Sequence, residues 1–124
     1  MDIKSLYTLE AHESGSEMNI ISPIDGKPTE CFLTVLGVDS RAWREARLVF
    51  DREIIKLNDA SESERALLIA TTQAAIVIGW RGFDNEGKPL DFDRPFLVEL
   101  LVKSPSIGDQ VERFKDNRLN FTKG

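Results

Sequence analysis

The chain has one cysteine, one histidine and one tyrosine in 124 residues. One cysteine excludes an internal disulfide. One histidine with no cysteine partner excludes the Cys-x-x-Cys and His-rich zinc patterns. Without a second histidine or cysteine near either residue, no nucleophile–base pair can be assembled from the usual groups. There is no G-x-S-x-G, no phosphate-cradling glycine loop and no dinucleotide-binding glycine pattern. No enzyme, cofactor or metal site is therefore expected. Excess positive charge is also missing: 16 Lys and Arg stand against 21 Asp and Glu, a net charge of −5. Binding to a phosphate backbone rests on a basic surplus, so nucleic acid is not expected as a partner. No apolar run reaches the ~20 residues that cross a bilayer, since Thr71, Thr72 and Gln73 interrupt the most apolar stretch. The opening Met1-Asp2-Ile3-Lys4-Ser5-Leu6 lacks the basic region and apolar core of a signal peptide. A protein made and used in the cytoplasm, without a membrane partner, is the expectation.

Hydrophobic residues at 41% and charged residues at 30% suit one folded domain over residues 1–124. The patterning predicts a mainly α fold, a small helical domain with a short N-terminal β-hairpin. Ile3, Leu6, Tyr7 and Leu9 predict a helix over about 3–13. Two apolar runs around Asp25-Gly26, a strong turn signal, predict the hairpin over about 18–36, with Pro23 restricting the first strand to an edge or a strand end. Asp39-Ser40 can cap a helix over about 40–58. Its stripe Trp43, Ala46, Phe50, Ile54 and Leu57 recurs every three or four residues, with Arg41/Glu45 and Arg47/Asp51 able to pair outside. Leu48, Val49 and Ile55 lie off that stripe and are the candidates for a contact with another chain. Ser61 and Glu64 have capping-box spacing and open a helix over about 62–79 that is apolar on nearly every side. A helix of that kind is buried by something, and a second copy could supply the cover. The β-branched Ile76-Val77-Ile78 would equally suit a buried strand. Asp93 and Ser104, each followed closely by proline, predict helices over about 94–103 and 105–118.

Three smaller features invite a chemical reading. Asp84-Asn85-Glu86-Gly87 fails the calcium-loop pattern, because glycine stands fourth and Pro95 occupies the twelfth place. Asp91 and Asp93 read as helix-capping residues more readily than as an acid–base pair. Cys31 reads as a core thiol and His12 as a surface histidine near a helix end. Trp80, Phe83 and Phe92 gather around a glycine-rich turn. Such aromatics occur both in cores and at interface hot spots, and they form the other candidate protein-binding group.

Several segments, taken in order, resemble one family. Leu6-Tyr7-Thr8-Leu9-Glu10 precedes a hairpin whose turn runs from Pro23 to Gly26. Thr34-Val35-Leu36-Gly37 is followed by Asp39-Ser40-Arg41 and a long charged helix. Gly79-Trp80-Arg81-Gly82-Phe83, Gly87-Lys88-Pro89-Leu90 and Arg118-Leu119-Asn120-Phe121 complete the series. The ordered set resembles the tail assembly chaperones of siphophages and their prophages. That resemblance implies a mostly helical, non-enzymatic, self-associating protein of the bacterial host cytoplasm. It would bind the hydrophobic tape measure protein, recruit tail tube protein and be absent from the finished virion. It also implies a longer, frameshifted form in many members. The alternatives are a structural head–tail or tail component and a small regulatory module that binds a host protein.

Overall fold

In a computed structural model describing residues 1–59 and 61–122, helices and strands alternate along the chain. The order is α1 (Leu9–Ser14), β1 (Ser16–Ile21), β2 (Pro28–Val35), α2 (Arg41–Lys56), α3 (Glu62–Ala74), β3 (Val77–Arg81), β4 (Asp84–Asn85), β5 (Lys88–Pro89), α4 (Arg94–Lys103) and α5 (Pro105–Asp116). Short 3-10 turns precede α1 and follow α5.

This is a mixed α/β fold, 53% helical and 19% strand, and it corrects the expectation of a mainly α domain with one hairpin. The helix expected to reach residue 79 stops at Ala74, and Val77–Arg81 is a strand. It pairs antiparallel with β2, so the sheet order is β1-β2-β3. The reason is steric and positional. Ile76, Val77 and Ile78 are stiff at χ1 and suit a pleated surface. Ile76 in the turn and Val77 at the start of the strand are buried completely, while Ile78 turns out to 49% exposure. A second ribbon, β4 with β5, closes through Glu86 and Gly87, both at positive φ, as a two-residue hairpin turn requires. The N-terminal helix expected over 3–13 is also divided. Tyr7 is extended between a 3-10 turn at Ile3–Leu6 and the six-residue α1. Ile3, Leu6 and Tyr7 stay exposed, so no core contact holds this segment in a continuous helix.

Alternation along the sheet places Met18, Ile20, Leu33, Val35 and Val77 in the core. There they meet Ala70, Ala74, Leu97, Leu101, Ile107 and Val111 from α3, α4 and α5. The outer face carries Phe32, with the Arg81 guanidinium 3.9 Å above its ring and bonded to Glu17 at 2.7 Å. The edge at Ile21, where the β1–β2 register shifts, is covered by α5: Gln110 both donates to and accepts from the Ile21 backbone at 2.8 Å. That arrangement satisfies groups a free edge would leave open.

The caps explain where the helices begin. Ser40 accepts from the Trp43 N–H at 3.2 Å and Ser61 from the Glu64 N–H at 3.3 Å. Asp93 and Ser104 make no side-chain cap bond; proline in the first turn pre-sets those helices instead. Helix α2 stands apart from the others because none of its 16 residues is fully buried.

Candidate functional site

Two regions hold the residues singled out by sequence, and the fold treats them differently. Trp80, Phe83 and Phe92 come together. The Trp80 ring centroid lies 4.6 Å from that of Phe83 and 5.1 Å from that of Phe92. The indole N–H donates to the Leu90 carbonyl at 2.9 Å, and the Leu90 N–H donates to the Phe83 carbonyl at 2.8 Å. All three rings are half-buried against the core. Their partners are one another and the backbone of the 82–93 segment, so the cluster anchors that segment to β3.

Leu48, Val49 and Ile55 stay in solvent at 68%, 45% and 75% exposure. The inward stripe of α2, from Trp43 through Phe50 to Leu57, is only half-buried. Helix α3 adds Leu67 and Ile69, 53% and 44% exposed. The two helices pack on each other. A groove of about 270 Å³ runs along the inner side, floored by Trp43, Phe50 and Ile69 and flanked by Arg47 and Glu112. The Lys115 ammonium, itself 4% exposed, sits 3.5 Å over the Trp43 ring and 3.1 Å from Asp116. This fixes the base of α2 against α5.

The charges on α2 are distributed unevenly. Arg41 reaches Glu45 at 2.9 Å, as their spacing suggests. Arg47 instead lines the groove, and Arg44, Arg47, Asp51 and Asp59 form no ion pair among the described residues.

One buried polar arrangement has no signature in the sequence. His12, expected at the surface, is fully buried. Its ring stacks on Phe121 at 4.8 Å, and its Nδ1 accepts the Asp39 N–H at 3.1 Å. Nε2 lies 3.4 Å from the Asp39 carboxylate without a hydrogen bond. Asp39 accepts two bonds from Arg118, at 2.8 and 2.9 Å. Gly37 leaves the space for the imidazole, since a Cβ there would sit 1.9 Å from Nδ1. The clasp ties α1, the loop into α2 and the C-terminal turn together. Residues this far apart in the chain carry no local spacing rule, so only the fold reveals them.

The Arg118 hydrogen bonds, followed by the Arg118 charge, hold the Asp39 carboxyl below its usual 3.8. A depressed folded-state value stabilises the fold above the unfolded value and loses that contribution as pH falls through the folded one. Arg118→Gln is therefore expected to lower stability at neutral pH. The gap from wild type should close as pH drops below about 4. Urea unfolding measured from pH 7 to pH 3 checks this. A gap that stays constant across the series would contradict the pairing.

Cys31 is half-buried, its thiol 3.4 Å from the Gly82 carbonyl. Asp84, Asn85 and Glu86 belong to the β4–β5 ribbon, and among the described residues no three of His, Cys, Asp and Glu are grouped to hold a metal ion. No helix of the described residues is long and apolar enough to cross a membrane. No family model, curated protein or solved structure matches the chain.

Proposed function

We propose that this protein is a non-enzymatic tail assembly chaperone of the siphophage type. It holds the tape measure protein in soluble form in the bacterial host cytoplasm and brings tail tube subunits to it. The observation that carries this reading is the α2–α3 hairpin, where Leu48, Val49, Ile55, Leu67 and Ile69 stand in solvent on a chain of net charge −5. Exposed apolar side chains in number mark an interaction surface, and an acidic exterior keeps a complex soluble. A long apolar client fits that combination, and the ordered motifs from Leu6 to Phe121 add the family resemblance. The aromatic group Trp80, Phe83 and Phe92 supports the reading less well, because its rings are engaged with one another.

The reading separates from that of a structural tail component by location. Mass spectrometry of purified particles is expected to find the tube and tape measure proteins without this chain. Its recovery at stoichiometric abundance would overturn the chaperone assignment.

A further inference from the structure

Beside the apolar groove lies a second hollow of about 430 Å³. Its charged lining is Arg44, Arg47 and Arg118 against Asp39, and Leu9, Val38 and Trp43 supply the apolar part. Trp43 and Arg47 line both hollows, so the two adjoin. Arginines thus gather at one place on a chain of net charge −5. Asp39 does not balance them, because both its oxygens are taken by Arg118 at 2.8 and 2.9 Å. Arg44 and Arg47 have no ion partner among the described residues. Lys115 adds a further positive charge behind the shared wall, 3.5 Å over the Trp43 ring, with Asp116 as its counter-charge. Guanidiniums held near one another without counter-charges repel, and an anion between them relieves that repulsion.

We propose that this double hollow binds an acidic peptide segment of a partner protein. An apolar side chain enters the groove floored by Trp43, Phe50 and Ile69, and neighbouring carboxylates meet Arg44 and Arg47. Arginine clusters recognise acidic segments in this way, with an adjoining apolar pocket fixing the register. The lining also sets which end lies where. Glu112, which accepts from the Gln73 amide at 2.8 Å, lines only the apolar groove, whereas Arg44 and Arg118 line only the second hollow. A nucleic-acid backbone fits less well, since it needs a longer basic track than one patch on an acidic chain. The site shares only Ile69 with the exposed apolar set of α2 and α3, and it does not depend on the identity of an apolar client.

Fluorescence anisotropy on the full chain tests this. The probe is a short fluorescein-labelled peptide with one phenylalanine followed by a run of aspartates. It is expected to bind with a dissociation constant on the order of 10 μM at low salt, and more weakly as salt is raised. Asparagine in place of the aspartates, or glycine in place of the phenylalanine, should each weaken binding by about tenfold. Arg44→Gln with Arg47→Gln should do the same as the asparagine peptide. Both positions are exposed, and circular dichroism verifies that the variant folds. Arg52→Gln with Arg113→Gln makes the same change of net charge at exposed arginines that line neither hollow, and it should bind as wild type does. Four results would overturn the proposal: no binding at millimolar concentration, equal binding of the asparagine peptide, equal losses in the two arginine variants, or a duplex DNA fragment that binds more tightly than the peptide. None of these bears on capture of an apolar client, which is measured separately.

Discussion

Gly82→Ala is expected to lower folding stability by on the order of 3 kcal/mol, the largest effect foreseen for a single methyl group in this chain. Gly82 has φ +90°, and an added Cβ would sit 2.0 Å from the Glu30 carbonyl oxygen and 3.2 Å from the Cys31 Cα. Both obstacles are backbone of β2, the middle strand, which cannot turn aside as a flexible side chain could. Relief requires pulling β3 and the aromatic segment after it away from the sheet. Gly87 separates the two contributions. It has φ +80° but nothing within 4 Å of a built Cβ. Gly87→Ala should therefore show the conformational cost alone, about 1 kcal/mol. Urea unfolding of the two variants checks the difference. Equal losses would mean that the close approach to Glu30 plays no part.

The second large effect concerns binding. Leu48→Asp with Ile55→Asp is expected to leave stability within about 1 kcal/mol of wild type, since exposed sites tolerate such changes. Capture of a tape measure protein should weaken by about 10- to 100-fold. Trp80→Ala should behave in the opposite way. It removes two ring contacts and the bond to the Leu90 carbonyl. A loss of about 3 kcal/mol is expected, with capture following only the fraction that stays folded. Thermal melting beside a pull-down distinguishes the two behaviours. A Trp80→Ala protein that melts normally yet fails to bind would move the recognition surface to the aromatic turn.

How legible the molecule is from sequence depends on the range of the interaction responsible. Ser40, Ser61 and the prolines at 95 and 105 act within one helical turn, and the helices start beside them. Asp25-Gly26 likewise acts locally, and the two strands fold back around it. The end of α3 was harder to read. Alanine-rich helix passes into β-branched strand within two residues, at Ala75 and Ile76, with no glycine or proline between them. What decides that boundary is a partner more than 40 residues away: Val77 and Trp80 pair with Val35 and Leu33. The His12 clasp depends on Gly37, Asp39, Arg118 and Phe121 and is not visible in any window of sequence. Leu48, Val49 and Ile55 could be placed off the inward stripe by periodicity alone, and the fold leaves them in solvent. The spacing of the aromatic residues places them near one another, whereas their engagement with Leu90 depends on β3 and the segment that folds back from it.

The most direct test of the account is to co-express the chain with a siphophage tape measure protein and a tail tube protein. Affinity purification and native mass measurement would follow, for wild type and for Leu48→Asp with Ile55→Asp. A soluble assembly containing the tape measure protein for wild type, absent for the folded double variant, is the predicted result. A wild-type chain recovered alone, or a double variant that captures the client equally well, would contradict the claim that the exposed hairpin is a chaperone surface.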